Sequence, residues 1–361
     1  MKKNLVLIIG MVLFITFLYG QEELNVGKKY NLYSNELHEN REYWIYLPDG
    51  YESYKEKYPV IYLLDGESNF FTLVAVQKAL TKGMYNYMPE SIIVGVVNTN
   101  RTRDLTPSKS FLKRDGNIFF ENSGGAEKFY NFLIEELRPH VDSTYRSNNY
   151  NILVGHSFGG LFAINTWVHH PLSFNSYVSI DPSLWWDNRK IIKESKDIWK
   201  KIGYKGKNLY IAMSKKDKQG NNEHSDAIND FCQELSSENS LKNNLLRFKW
   251  KYYPEEDHGT IIMPGIYDSF KFIFQGITLP VKKIPKNPEL IDKYYNKLSS
   301  ELNYTFEPSE NLLYNLAEYA LSVGETEGAL KIIEQNIKLD PENAKIREIE
   351  KNIRKEFKLN N

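Results

Sequence analysis

The sequence predicts an α/β fold, with a mostly parallel central sheet and helices on both faces. Short β-rich runs alternate with helical patterns along the chain, and the middle runs are apolar throughout. Continuously apolar strands are typical of a sheet that is covered on both faces. Alternation of strands and helices indicates parallel connections. The predicted strands are residues 41–48, 58–66, 91–98, 150–155, 176–181, 208–213 and 247–254.

The segments between these runs carry helical periodicity. Residues 126–141 are one example, because their apolar side chains recur at helical spacing. These side chains are Phe129, Phe132, Leu133, Leu137 and Val141.

Composition limits the classes of function. A chain of 361 residues with 41% hydrophobic and 25% charged residues is long enough for one large domain and a small one. Its 46 basic residues balance 46 acidic residues, so no net field attracts nucleic acid or an anionic membrane. Neither partner is expected.

The amino terminus has the pattern of a secretory signal peptide. Lys2 and Lys3 precede an apolar run over residues 5–18, with cleavage expected near Gly20. The run is shorter than the roughly 20 residues that span a bilayer. We therefore expect residues 1–20 to be removed and the mature chain, without a membrane span, to be periplasmic or extracellular.

Cys232 is the only cysteine, which excludes an internal disulfide and a multi-cysteine metal site. It lies within an amphipathic helical pattern, so a buried core thiol is expected.

The composition changes near residue 280. Residues 279–290 contain three prolines and three lysines, which indicates a linker over residues 281–288 after a main domain at 21–280. Residues 289–361 look helical, and a 34-residue tetratricopeptide pattern fits 312–345. One such repeat cannot bury its own apolar face, so the helical tail is expected to dock on the main domain or to pair with another chain.

The motif G-x-S-x-G occupies residues 155–159, directly after the strand at 150–155 and before a helical pattern. A strand-to-helix turn of this kind, a nucleophile elbow, holds a serine hydroxyl clear of the backbone. The alternative is an incidental glycine-rich turn. The context favours Ser157 as a nucleophile.

A serine hydroxyl needs a neutral imidazole to accept its proton. His258 follows the last predicted strand, and the order serine, acid, histidine is that of the α/β-hydrolase architecture. Asp217, just past the strand at 208–213, is the expected acid, and a solvated charged loop is its alternative. Glu223 and Asp226 compete for the same role.

The developing oxyanion needs hydrogen-bond donors. We expect these donors to be the backbone N–H of Phe158, after the nucleophile, and that of Glu67, in the loop after the strand at 58–66.

The sequence resembles the bacterial putative-esterase family, the group that includes esterase D, siderophore esterases and the mycolyltransferases. The resemblance covers about residues 25–278 and depends on several separated motifs, "YLLDG", "NRTRDLTPS", "LVGHSFGGLFA" and "DPSLWWDN". It implies an α/β-hydrolase fold with Ser157 as nucleophile and His258 as base. The third member of the triad varies more among such proteins.

Two of the family segments are candidates for substrate binding. Arg101 and Arg103 follow a predicted strand and can bind a carboxylate or phosphate, or form salt bridges within their loop. Trp185 and Trp186 follow another strand and can stack on an aromatic or sugar-containing ester, or pack within the domain.

The expected function is an exported serine esterase that needs neither metal nor organic cofactor. Its expected substrate is a small-molecule, saccharide or siderophore ester. An acyltransferase with the same acyl-enzyme is one alternative. A catalytically silent binding module, which acts through the helical tail, is another.

Overall fold

An eight-stranded sheet forms the centre of the molecule. The computed structural model describes residues 25–360, apart from 112, 115–116, 199–202, 217–221 and 238–244. The strands of the sheet follow the order β1-β2-β4-β3-β7-β8-β9-β10, and β5 and β6 form a separate hairpin. The strands are β1 (Lys28–Ser34), β2 (Glu39–Tyr46), β3 (Tyr58–Leu63), β4 (Ile92–Val96), β5 (Lys113–Arg114), β6 (Asn117–Ile118), β7 (Ser147–His156), β8 (Ser176–Ile180), β9 (Asn208–Ser214) and β10 (Arg247–Tyr253).

Six neighbouring strands of this sheet pair in parallel, and their order in space is β4-β3-β7-β8-β9-β10. Strand β2 pairs antiparallel with both β1 and β4. All residues of β3, β4, β8 and β9 are buried, as their continuous apolar runs predict.

Helices lie on both faces of the sheet. One face is covered by α1, α8 and the carboxyl-terminal helices, and the other by helices α3 to α7. The predicted α/β-hydrolase fold class, including the all-α carboxyl-terminal region, is therefore confirmed. The helices are α1 (Gly66–Leu80), α2 (Arg101–Leu105), α3 (Ala126–Asn131), which continues through a π-helical stretch (Phe132–Leu137) into α4 (Arg138–Thr144), α5 (Phe158–His169), α6 (Trp186–Ile198), α7 (Glu223–Ser237), α8 (Ile262–Ile273), a 3-10 helix (Val281–Lys286), α9 (Leu290–Leu302), α10 (Glu310–Ser322), α11 (Thr326–Leu339) and α12 (Ala344–Asn360).

Within the described residues, no helix is both long enough and apolar enough to span a membrane. The signal peptide expected at residues 1–20 lies outside the described residues. Cys232 is buried in α7, as expected, and burial raises the pKa of its thiol.

The carboxyl-terminal helices pack against the main domain, and one hydrophobic core runs through both. Glu310, at the start of α10, accepts a hydrogen bond from the backbone N–H of Lys55 at 3.3 Å and is itself buried. Its own N–H donates to Glu56 at 3.0 Å. The main domain therefore covers the apolar face that a single helical hairpin cannot bury alone. The tetratricopeptide assignment of residues 312–345 stays a prediction.

The residues expected to form a linker pack tightly in the structure. Val281 and Ile284 of the 3-10 helix are buried. At Gly328 of α11, an added Cβ would lie 1.8 Å from the carbonyl oxygen of Pro285. Because the clash is with backbone, no side-chain rotation relieves it.

Gly328→Ala should therefore lower the free energy of unfolding by about 2–3 kcal/mol, as overpacking does elsewhere. Urea denaturation measures the change. Gly203→Ala is the matched control, since no atom lies within 4 Å of its added Cβ, and its effect should be below about 0.5 kcal/mol. Equal effects at the two positions would contradict the packing argument.

A cavity of about 430 Å³ lies between the main domain and the helical tail, and Glu56, Glu90 and Glu310 are among its lining residues. Burial, followed by the charges of Glu56 and Asp49, raises the pKa of Glu90 from the ordinary 4.5 to about 7. The folded protein therefore holds this proton to higher pH than the unfolded chain does.

The stabilisation from protonated Glu90 is complete below pH 4.5 and is lost as the pH rises through 7. Glu90→Gln should raise the free energy of unfolding at pH 8 by about 2–3 kcal/mol and change it little at pH 4.5. Unfolding at the two pH values measures this difference. Glu52→Gln, an exposed carboxylate, is the control. The same pH dependence in wild type and Glu90→Gln would refute the assignment.

Candidate active site

The carboxyl ends of three parallel strands meet at one edge of the sheet. His156 of β7 is in register with Ile180 of β8, and Ile180 is in register with Ala212 of β9. Ser157 and Asp181 directly follow two of these aligned residues. The sheet therefore delivers a hydroxyl and a carboxylate to the same edge.

Ser157 occupies a strained turn between β7 and α5. Its φ of 59° and ψ of −114° lie where residues other than glycine are rare. Its N–H donates to the carbonyl oxygen of Ile180 at 3.0 Å. A Cβ at Gly155 would come within 2.1 Å of the Gly159 carbonyl oxygen, so only glycine fits there. This is the geometry that the nucleophile-elbow motif requires.

His258 lies beside this elbow, in the loop after β10. Its Nδ1 donates to Oδ2 of Asp181 at 2.6 Å, so in the neutral ring Nε2 is the nitrogen that can accept a proton. The Ser157 hydroxyl lies 3.4 Å from the hydroxyl of Ser183. Ser157, Asp181, Ser183 and His258 all line one cavity of about 910 Å³.

Asp181 is fully buried and accepts four hydrogen bonds. Its Oδ1 accepts from the backbone N–H of Ser214, and Oδ2 accepts from the Ser214 hydroxyl, both at 2.8 Å. Oδ2 also accepts from Nε2 of His224 at 3.0 Å. Burial alone would raise the pKa of Asp181, but the hydrogen bonds from His224 and His258 outweigh it and hold the pKa well below its usual range. Asp181 is therefore a carboxylate anion at neutral pH.

His156 supports the position of His258. Its Nε2 donates to the carbonyl oxygen of His258 at 2.8 Å, and the two rings lie 4.5 Å apart. Burial, then the neighbouring charge of His258, lowers the pKa of His156 to about 4. His156 is thus neutral near pH 7 and acts here as a hydrogen-bond donor.

The carboxylate that contacts His258 differs from the one expected. Asp217 lies outside the described residues. Among its competitors, Asp226 pairs with Lys216 at 2.7 Å and Glu223 begins α7. Asp181 was missed, although it is the last residue of the predicted strand at 176–181. His224 was also missed, because it carries no motif in the sequence.

The two expected oxyanion donors lie at helix starts. Phe158 is the first residue of α5, and Glu67 is the second residue of α1. N–H groups at these positions have no partner within their own helix. A Cβ at Gly159 would contact Asp65 at 3.2 Å, so the start of α5 lies against the residue that precedes α1. A joint oxyanion role for these two amides stays a prediction.

Arg101 and Arg103 form ion pairs within the protein. Arg101 Nε lies 2.6 Å from Asp65 Oδ1, and its guanidinium also donates to the carbonyl oxygen of His156. Arg103 pairs with Glu39 and with Asp104. Neither arginine lines the 910 Å³ cavity. The structure thus shows the salt-bridged alternative for both arginines. Binding of a substrate anion by either arginine stays a prediction.

The two tryptophans have different environments. Trp186 is buried, and its Nε1 donates to the backbone carbonyl of Ser108 at 3.2 Å. Trp185 is half-buried and lines the cavity. Only Trp185 of this pair is therefore placed to contact a substrate.

Known proteins are similar to this chain over most of its main domain. The model of the family described as "Putative esterase" matches residues 34–259. This chain belongs to that family. This family and the esterases and serine hydrolase described next make the chain a carboxylic ester hydrolase.

Individual relatives of this esterase carry related names. A siderophore enterobactin esterase of Emericella nidulans is 28% identical over 246 residues, which cover 59% of this chain and 81% of that protein. The ferri-bacillibactin esterase BesA of Bacillus subtilis is 29% identical over 228 residues, 55% of this chain and 72% of that protein.

A solved structure extends the likeness. An IroE-like serine hydrolase from Shewanella oneidensis superposes with a TM-score of 0.76 at 32% identity, covering 86% of this esterase and 98% of that chain. This share is larger than residues 34–259 provide, so the likeness continues beyond the stretch that the family model matches.

Proposed function

We propose that this esterase hydrolyses siderophore-type esters through an acyl-enzyme on Ser157. The observation that carries the proposal is the 2.6 Å hydrogen bond from His258 to the buried Asp181, in the cavity that Ser157 also lines. A nucleophile, a base and an orienting carboxylate at one site form the constellation that acyl transfer needs.

In the first half-reaction, Ser157 Oγ attacks the ester carbonyl carbon while Nε2 of His258 takes the hydroxyl proton. Asp181 holds the ring by its Nδ1–H and stabilises the imidazolium that forms. The tetrahedral oxyanion would accept hydrogen bonds from the N–H groups of Phe158 and Glu67. When the intermediate collapses, His258 returns the proton to the departing alcohol and Ser157 keeps the acyl group.

In the second half-reaction, His258 takes a proton from water, whose oxygen attacks the acyl carbon. A second oxyanion forms at the same donors and collapses to release the carboxylic acid. The proton returns to Ser157. Each proton that His258 accepts is given back, so the cycle consumes one water and one ester.

The siderophore class is supported by the names of the relatives and by the cavity lining. Trp185 and Tyr252 offer aromatic surface for stacking on an aryl acyl group. Lys215 lies at the same cavity and supplies a positive charge for an acidic substituent. The volume, about 910 Å³, lies at the upper end of that of small-molecule sites and suits a bulky ester.

A substrate panel tests the proposal. Enterobactin and bacillibactin, each iron-free and ferric, are compared with p-nitrophenyl butyrate, and products are identified by mass spectrometry. We expect kcat/KM for at least one siderophore ester to exceed that for the butyrate ester by about tenfold or more. Turnover of the butyrate ester alone would refute the substrate class and leave the esterase standing.

Two further measurements separate the alternatives. A fluorophosphonate probe should label Ser157, because that reaction needs an activated hydroxyl. A chain that neither takes the label nor hydrolyses any ester would support the binding-module alternative. New esters formed with an added alcohol would instead favour an acyltransferase.

Export is part of the proposal and is supported by the basic and apolar pattern of residues 1–20. N-terminal sequencing of chain recovered outside the cytoplasm should begin near residue 21. Recovery of the intact amino terminus from the cytoplasm would contradict export.

A further inference from the structure

Three metal-ligating atoms lie close together around the Asp181 carboxylate. Asp181 Oδ2 lies 2.6 Å from Nδ1 of His258 and 3.0 Å from Nε2 of His224. One ligating atom from each of the three residues lies within 4.8 Å of the others. The proposed reaction uses Asp181 and His258 but gives no role to the second imidazole on the same carboxylate oxygen.

We propose that Asp181, His224 and His258 form a site for a divalent transition-metal ion of the Zn²⁺ type, and that the bound ion inhibits the esterase. Two imidazoles and one carboxylate are a ligand set that Zn²⁺ prefers over Mg²⁺ or Ca²⁺. Three protein ligands leave a fourth position for water. The binding half of the proposal stands on geometry, and the inhibitory half depends on the proposed function.

One ligand is fixed and two can adjust. Asp181 is fully buried and held by both the N–H and the hydroxyl of Ser214. His258 has about half of its side chain exposed, in the loop after β10, and His224 about a quarter, in the first turn of α7. In a tetrahedral zinc site, nitrogen and oxygen ligands lie roughly 3.3 Å apart, given bond lengths near 2.0 Å. Small outward shifts of the two rings therefore make room for the ion.

The charge of the cluster also suits a dication. Zn²⁺ binds deprotonated ring nitrogens, so the ion itself supplies a positive charge next to the buried Asp181 carboxylate. Lys216, which lines the same cavity, forms an ion pair with Asp226 at 2.7 Å. Asp181 lines the cavity together with the half-exposed His258, which gives an ion a route to this carboxylate oxygen.

The inhibition follows from the single proton of a neutral imidazole. With Asp181 as partner, His258 keeps this proton on Nδ1, and Nε2 can accept the proton of Ser157. A metal ion on Nδ1 moves the ring proton to Nε2, which can then no longer act as a base. The ion also takes the carboxylate oxygen that would stabilise the imidazolium.

Zinc binding to the full chain is measured first, by competition with a chromophoric chelator. Wild type and Ser157→Ala should each bind one Zn²⁺, because Ser157 is not a ligand. His224→Gln should weaken binding about tenfold or more, with His224→Asn as a second variant should the first not fold. His170→Gln is the matched control, since His170 pairs with Glu127 at the far end of α5.

Inhibition is then measured with p-nitrophenyl butyrate, each variant normalised to its own rate in EDTA. The zinc concentration for half inhibition should rise about tenfold or more in the His224 variants and stay unchanged in His170→Gln. Equal inhibition of all variants, or no zinc bound by wild type, would overturn the proposal. If no ester is hydrolysed, the zinc-binding measurement still tests the metal site. An active enzyme that binds no zinc leaves the proposed function intact.

Discussion

Ser157→Ala should lower kcat for ester hydrolysis by about 10⁵–10⁶-fold while the protein stays folded. The hydroxyl forms the covalent bond to the acyl group, and no other group replaces that bond. The strained backbone at Ser157, with φ of 59°, is imposed by β7 and α5 and does not depend on the hydroxyl. Initial rates with p-nitrophenyl butyrate and circular dichroism spectra measure the two outcomes.

Ser183→Ala is the matched control. The Ser183 hydroxyl lies 3.4 Å from the Ser157 hydroxyl, and both residues line the same cavity, but Ser183 is not part of the elbow. Its loss should change kcat by less than about tenfold, as loss of one neutral hydrogen bond does. Undiminished turnover in Ser157→Ala, or a fluorophosphonate adduct mapped to Ser183, would remove Ser157 from the nucleophile role.

The elbow could be predicted because its requirements are local. Gly155, Ser157 and Gly159 lie within five residues, and the clash that excludes a side chain at Gly155 involves the Gly159 carbonyl. His258 could be predicted from strand order, since a residue after the last parallel strand returns to the same edge. Both arguments use only chain order and turn chemistry.

Partners that depend on long-range contacts could not be predicted. Arg101 follows a strand, as a substrate-binding residue would, yet its partner Asp65 lies 36 residues away. Nothing in the local pattern indicates that pairing.

Strand β1 was missed for another reason. It is an edge strand with exposed lysines, Lys28 and Lys29, and lacks the apolar run that marks the buried strands.

The carboxylate that contacts His258 shows the same limit. Strands β8 and β9 both end beside the elbow, so Asp181 after the first and Asp217 after the second were equally compatible with strand order. The backbone positions Asp181. Asp181 has φ of 44°, and its N–H donates to Ala212, which turns the chain at the end of β8. Asp181 begins the motif "DPSLWWDN", but the motif alone does not indicate that this carboxylate contacts His258.

Asp181→Asn should lower kcat by about 10³–10⁴-fold, with a smaller change in KM. An amide keeps the size of the side chain but removes the negative charge that stabilises the His258 imidazolium. Its NH₂ group can also face Nδ1 and favour the tautomer with the proton on Nε2, which cannot accept the proton of Ser157. Steady-state kinetics with p-nitrophenyl butyrate separate kcat from KM.

Asp217→Asn decides between the two carboxylates. If Asp181 is the acid, Asp217→Asn should keep kcat within about twofold of wild type, because the Nδ1–H of His258 is already bonded at 2.6 Å. Thermal unfolding of Asp181→Asn controls for the loss of charge beside Ser214 and His224, which also contact this carboxylate. A folded Asp181→Asn with near-normal kcat, together with a strong loss in Asp217→Asn, would assign the acid role to Asp217. Because both variants replace a carboxylate by its amide, the comparison isolates which charge reaches the imidazole during turnover.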